Sequence, residues 1–474
     1  MIATSATAVS RRVPQANDLP DSPAPTWRHG DEVALAVAFA LIAVAAVVGH
    51  QMNRRGLPIV LPRPPLLAFW HPHVGSGTPL AILSLLLGLR LQRLVAVLPW
   101  RRLLAAGWLL NLAWMCSLTL VDGLQQGWID VLLDPNEYLH DLHRISDPWT
   151  FVSTFTHFIA FGPVVDGDLV WTTHVAGHPP LTTLIFWLLG RLGLGGGFWA
   201  GALCILVGSA ASVALPATLR ELGAEAASRR MVPFVALFPG AVWMAVSADG
   251  LFAGVAVSGL ALMCLGAARG RILASLAGGL LLGIAVFLSY GLILFGLIVL
   301  PAMLLTVRQR GLRSVLVPWL IATVGFVTVA AVHMALGFNW VSGLVVLRVR
   351  YNQGIAGDRP FSYFVYADLA AWLVSCSPLL AIGVVRSMAV LGKGRTGPWT
   401  QDRIVAVLAL TGVLAALVAD FSGLSKAETE RIWLSFGVIA YSGLALLRGQ
   451  RARWALATSA AWALLVNHLL NTGW

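Results

Sequence analysis

Apolar stretches close to the thickness of a bilayer's hydrocarbon core follow one another along most of this chain, separated by short arginine-bearing intervals. A membrane-spanning helix needs about 20 predominantly apolar residues. Inside hydrocarbon every backbone polar group must be satisfied within its own segment, so long apolar runs without strand alternation have to be helices. Composition agrees: 58% of the 474 residues are hydrophobic and only 11% charged, against about 25% charged in soluble domains. The expected fold class is an all-α polytopic membrane protein with about 12–14 transmembrane helices.

The net charge is +11, and nearly all of it is arginine, with lysine only at Lys393 and Lys426. That bias, beside abundant Ala, Gly, Leu and Val, suggests a GC-rich genome such as an actinobacterial one. The arginines fall in short loops beside apolar segments, the placement of the positive-inside rule, which points to a lipid bilayer as partner and not to nucleic acid. Cys116, Cys204, Cys264 and Cys376 all lie in apolar segments without metal or redox spacing and read as core residues.

Along the chain, residues 1–32 read as a disordered cytoplasmic tail with no cleavable signal. Two N-terminal membrane helices are expected within 33–102, a core within 103–335 and further membrane helices within 336–474. The third helix, about 103–121, runs outward from the cytoplasmic Arg101 and Arg102. This makes the polar interval 122–178 extracytoplasmic, with the apolar run Trp149 to Val165 lying in the interface. The later arginine clusters can all be cytoplasmic only if Pro179 to Leu194 fails to cross. Asp249, the loop 336–365 and the interval Asp420 to Arg431 then share the outer side with the first loop.

That first loop holds the densest set of ionisable residues in the chain. Asp134-Pro135-Asn136-Glu137-Tyr138 closely follows the outward helix, and the loop re-enters the membrane at His178-Pro179-Pro180-Leu181. The arrangement resembles the GT-C superfamily of membrane glycosyltransferases, in which an Asp with a Tyr four positions on lies in the first large external loop and a Lys- or His-Pro-Pro-Leu stretch opens the next helix. Pro239 to Phe252 is similar to the family's helix pair carrying a proline and then an Asp, here Asp249, and Glu428-Thr429-Glu430-Arg431-Ile432-Trp433 resembles an acidic-Arg-Ile-Trp element of actinobacterial members. Two helices precede the matching region, and the acidic pair of some members is split here as Asp134 and Glu137.

The resemblance implies a GT-C-like fold and an inverting glycosyltransferase. Its donor would be a polyprenyl-phosphate sugar and its acceptor a cell-envelope glycan or glycolipid, on the outer face of the plasma membrane. In size and texture the chain is similar to mycobacterial members that decorate lipoarabinomannan. Asp134 and Glu137 are the expected catalytic carboxylates, and Tyr138, His174, His178, Asp249, Arg348, Arg350, Arg359, Glu430 and Arg431 the expected substrate-binding residues.

Elementary chemistry is compatible. A carboxylate must take the proton of the attacking hydroxyl. The lipid phosphate leaves as a stable anion and needs no acid. Arginine's planar fork suits that phosphate. No cofactor is required. His174 and His178, at i and i+4, could present two imidazoles to a divalent metal, but the Pro-Pro pair interrupts the helix and no third ligand is fixed, so hydrogen bonding to substrate or phosphate is the reading taken. A transporter or lipid-linked-sugar flippase is the alternative class; it would place its ionisable residues inside the helices.

Overall fold

In the computed structural model, residues 29–162, 170–392 and 399–472 are described. Nearly all of them are helical, and the only sheet among them is a two-residue antiparallel pair, Phe69–Trp70 against Leu470–Asn471. Among the described residues six helices are long and apolar enough to cross a bilayer: His29–Arg54, Gly197–Glu221, Ala248–Arg269, Tyr290–Arg310, Leu312–Ala335 and Gln401–Phe421. A seventh candidate is the pair Phe361–Cys376 and Leu380–Gly392, bent by 102°. The break falls at Ser377, in the left-handed region at φ 72°, followed by Pro378, which has no N–H to continue the ladder. Several of the remaining apolar stretches form shorter helices, so full-length spans by this measure are fewer than the dozen the sequence suggests. The all-α membrane class stands.

Helix Leu181–Arg191 has 11 residues; at 1.5 Å per residue it rises about 16 Å, roughly half a hydrocarbon core. Its length suits a segment that enters the membrane without crossing it. Residues 1–28 lie outside the described ones, and helix begins at His29, earlier than expected.

Two expectations need correction. The run from Trp149 to Val165 is not one continuous exposed helix over its described residues, 149–162, and residues 163–165 lie outside the described ones. It forms helix Pro148–Thr154 and the turn Phe155–Phe158, and buries Phe151, Val152 and Phe155 to 4% exposure or less. The reason is an aromatic cluster: Phe151, Phe155 and Phe158 pack on Trp171, and Phe155 on Phe338. The interval 336–365, read as a loop, contains helix Trp340–Gln353, with Val341, Val345 and Val349 exposed along one stripe and Gly343 its only buried residue.

Helix Ala248–Arg269 is the hub of the core, buried over most of its length. Glycines let its neighbours approach: a Cβ at Gly254 would meet the Val207 carbonyl, and one at Gly278 the Met263 backbone nitrogen. At the hub's N-terminus the Ser247 side chain caps the helix by accepting from Asp249 N–H. Asp249 is thereby held at one end of the core.

Candidate functional site

Asp134 to Glu137 is a turn whose sequence explains its shape. Asp at the first position, Pro at the second and Asn at the third are favoured turn residues. Asp134 Oδ1 accepts from Asn136 N–H at 2.8 Å and the Asn136 amide at 3.1 Å, and the Asp134 carbonyl accepts from Glu137 N–H at 2.9 Å. The turn leaves Asp134 exposed and sends Glu137 and Tyr138 inward, to 3% and 1% exposure.

The inward pair meets Arg431. That residue is delivered by a constrained strap: Ala427 and Glu428 both adopt left-handed backbone at φ 76° and 62°, a conformation that disfavours residues with a Cβ. The surroundings over-determine it. Ala427 N–H donates to Asp368 Oδ1 at 2.9 Å, the Thr429 hydroxyl to the Asp368 carbonyl at 2.9 Å, and Lys426 N–H to the Tyr351 hydroxyl at 2.9 Å. A single helical turn, Thr429–Ile432, then aims Arg431 into the core.

Arg431 is 4% exposed, and carboxylates surround it: Glu137 Oε1 at 3.2 Å from Nη1, Asp249 Oδ2 at 3.1 Å from Nε and Glu428 Oε2 at 3.3 Å from Nη2. His174 Nδ1 lies 3.4 Å from Nη2 and 3.5 Å from Glu137 Oε1. Burial works against the guanidinium's charge, but Asp249, Glu137 and Glu428 more than offset it and hold the group above its ordinary pKa. For Glu137 the balance runs the other way. Burial dominates over the attraction of Arg431, Asp249 adds repulsion, and the carboxyl is pushed up to about 7. One cation thus serves three acids, so the cluster is rich in negative charge and Arg431 offers no open fork to a phosphate.

The Tyr138 hydroxyl lies 2.8 Å from His178 Nδ1, which is also 2.9 Å from the His174 carbonyl. Both contacts fall on Nδ1, so Nε2 is the ring nitrogen with no hydrogen-bond partner among the described residues. Burial lowers the pKa of both His174 and His178, keeping the imidazoles neutral, and burial raises that of Tyr138. A neutral His178 offers no positive charge to a phosphate and is suited to hydrogen bonding with a substrate hydroxyl.

Glu137, Tyr138, His174, His178, Asp249 and Arg431 therefore form one cluster, with Asp134 outside it on the turn. The other expected residues lie apart. Glu430 is fully buried, but its Oε1 accepts from Leu67 N–H at 3.0 Å. Arg359 donates to the carbonyls of Ile59 and Lys426 and braces the strap. Arg348 is exposed, and Arg350 stands over the ring of Phe161 at 3.6 Å. Glu428 is not among the expected site residues, although its i, i+3 spacing to Arg431 is visible in the motif. Asp141, likewise not expected, accepts from Arg144 at 3.1 Å and from Thr172 N–H at 2.8 Å, closing the loop on itself. Among the described residues no three His, Cys, Asp or Glu side chains converge as a metal site.

Neither a protein-family model nor a curated protein matches the sequence significantly. Among solved structures, the chain is similar to the oligosaccharyltransferase of Archaeoglobus fulgidus in complex with zinc and sulfate, with a TM-score of 0.40 and 14% identity over 71% of this chain and 47% of that one. The same archaeal protein tethered through a disulfide to an acceptor peptide with an NVT sequon gives a TM-score of 0.36 and 14% identity, covering 68% and 50%. The chain spans about half the length of these structures.

Proposed function

We propose that the protein is a GT-C-type membrane glycosyltransferase that moves a sugar from a polyprenyl-phosphate carrier to a hydroxyl of a cell-envelope glycan or glycolipid, at the extracytoplasmic face of the plasma membrane. The observation that carries this reading is the Asp134–Tyr138 turn. It holds an exposed carboxylate over a buried acid–arginine–histidine centre, in a loop packed onto apolar helices.

In this reading Asp134 takes the proton of the acceptor hydroxyl as its oxygen bonds to the anomeric carbon. The bond from that carbon to the lipid phosphate breaks on the opposite face, and the phosphate leaves with the electron pair, so configuration inverts. No protein donor reaches Asp134 Oδ2 among the described residues, so that oxygen is open to a substrate hydroxyl. The negative charge around Arg431 favours the positive character that develops at the anomeric carbon. His178 Nε2 and Glu137 are the groups placed to orient hydroxyls. The sugar and the acceptor, lipoarabinomannan included, are assigned by assay: membranes of a deletion strain and its complement given radiolabelled polyprenyl-phosphate sugars should differ in one labelled product.

One observation favours a second reading, a transporter or lipid-linked-sugar flippase. Asp368 and Asp420 are buried within helices at 3% exposure, and neither oxygen of Asp420 has a hydrogen-bond partner among the described residues. Movement of a fluorescent lipid-linked sugar across proteoliposomes, without any covalent transfer, would support it.

A further inference from the structure

Where helix Gly197–Glu221 begins, aromatic rings stand exposed beside the first loop, on a frame that holds them there. The loop opens with a single π-helical turn, Gln125–Ile129. Such turns are rare and recur at functional sites. This one packs on the start of the helix through glycines: a Cβ at Gly197 would meet the Ile129 carbonyl, and one at Gly201 the Trp128 indole. Trp128 is fixed twice, its Nε1 donating to the Phe198 carbonyl at 3.0 Å and its ring stacked on that of Phe198 at 5.6 Å and 15°. Trp199 stands nearly perpendicular to Phe198, at 83° and 5.3 Å. The result is an aromatic corner, with Phe198 41% and Trp199 44% exposed.

The corner stands at the aqueous rim and not in hydrocarbon. Helix Gly197–Glu221 has 25 residues; it rises about 37 Å, about 7 Å more than a hydrocarbon core. Its far end is fixed by Arg220, which pairs with Glu225 at 2.6 Å and stands over Trp100 at 4.6 Å, so the surplus falls at Gly197. The π-helical segment agrees. Gln125, Gln126 and Asp130, all within three residues of Trp128, are exposed, on irregular backbone that hydrocarbon does not tolerate. Gln125 Nε2 donates to Asp130 Oδ1 at 2.6 Å. Gln125 Oε1, Asp130 Oδ2 and the Gln126 amide have no hydrogen-bond partner among the described residues, so donors and acceptors stay uncommitted next to the rings.

Exposed ring faces beside uncommitted amides and a carboxylate are the two halves of a saccharide site. A ring face is electron-rich and takes the C–H face of a sugar, while a few polar groups fix its hydroxyls. A lipid phosphate would meet the repelling charge of Asp130, whereas a neutral sugar hydroxyl donates to it. The corner also leads to the proposed base: the turn Val131–Leu133 runs directly from Asp130 to Asp134, about 8 Å of chain at 3₁₀ rise. We propose that this corner is a saccharide-binding subsite, on which a neutral sugar residue of the acceptor lies against Phe198 and Trp199 with its hydroxyls on Gln126 and Asp130. This rests on the glycosyl-transfer reading and gives the acceptor a place beside Asp134.

The test is saturation-transfer NMR on the full chain in lipid nanodiscs, titrated with the methyl pyranosides of glucose, mannose and galactose. At least one should receive saturation on the C–H protons of one ring face, and Phe198→Ala or Trp199→Ala should weaken its affinity about fivefold or more. Trp454→Ala, at an exposed ring in the last helix, should bind as wild type. Should the ring variants not be monodisperse, Gln126→Ala and Asp130→Asn, at exposed side chains, carry the same comparison. A wild type that binds none of the three, or monodisperse variants that bind as wild type, overturn the proposal. So does a spin label at Trp199→Cys, in a background without the four native cysteines, that relaxes faster with oxygen than with a water-soluble nickel chelate, since lipid then covers the corner. Binding is read without turnover. Binding with no transfer from any lipid-linked sugar overturns the glycosyltransferase reading alone; transfer in which Trp199→Ala leaves the acceptor KM unchanged overturns this proposal alone.

Discussion

Arg431 Nη1 lies 3.2 Å from Glu137 Oε1 with both side chains at 4% exposure or less, joining two segments 294 positions apart. A buried ion pair of this kind ties the first loop to the strap after Phe421. Removing one partner strands the other, which typically costs about 3–5 kcal/mol. Arg431→Ala, which strands Asp249 and Glu428 as well as Glu137, should lower the thermal midpoint in detergent well below that of Glu137→Gln. Equal midpoints would show that the three acids do not depend on Arg431.

Glu137 and Glu430 predict a pH dependence. Burial pushes both carboxyls up to about 7 from the ordinary 4.5. A carboxyl raised on folding binds more protons in the native state than in the unfolded chain between those values. Its stabilisation is therefore complete below about pH 4.5 and is lost as pH rises through about 7, by up to roughly 3 kcal/mol for each group. Thermal midpoints should fall between pH 5 and 8, and Glu430→Gln should flatten that fall. An unchanged slope in Glu430→Gln would mean that its carboxyl is not protonated in the folded protein.

Much of this centre was legible because it is local. Asp134-Pro135-Asn136-Glu137 is a turn on its residues alone, and the same turn sends alternate acids outward and inward. Ser247 capping Asp249 is equally local. What could not be read depends on backbone set by tertiary contacts. The choice between Glu428 and Glu430 as the partner of Arg431 is settled by two left-handed residues braced from Asp368 and Tyr351, and no sequence rule places such strain at Ala427 and Glu428. Arg359 and Arg350, nine residues apart, look equivalent in sequence, yet one bonds backbone carbonyls and the other faces a cavity. The packing of the run from Trp149 is not legible in sequence because its partners Trp171 and Phe338 are distant in the chain.

Strain at Ala427 carries its own prediction. A left-handed backbone costs a residue with a Cβ about 1–2 kcal/mol and glycine almost nothing. Ala427→Gly should be neutral or raise the thermal midpoint, whereas Asp368→Ala, which removes the acceptor for Ala427 N–H, should lower it and reduce activity. A strongly destabilised Ala427→Gly would show that the buried methyl, and not the backbone, matters at that position.

Sidedness is tested by single cysteines in a background lacking the four native ones. Cysteine at Asp134 or Arg348, both exposed, should react in intact cells with an impermeant maleimide, and cysteine at Arg310 or Arg451 only after lysis. Asp249 and Glu137 share the side of Arg431 by direct contact. Labelling of position 310 but not 134 in intact cells would reverse the assigned orientation.

The most direct test of the account is the rate of sugar transfer by Asp134→Asn, measured beside Glu137→Gln in purified, monodisperse protein. Removing a general base typically costs roughly 10²- to 10⁴-fold. Asp134→Asn should lose activity in that range with an unchanged thermal midpoint, since the side chain is exposed and Asn keeps its shape. Glu137→Gln should lose less activity, because Gln keeps the oxygen that accepts from Arg431. Near-normal transfer by Asp134→Asn, with the large loss in Glu137→Gln, would contradict the account and move the base to the buried acid.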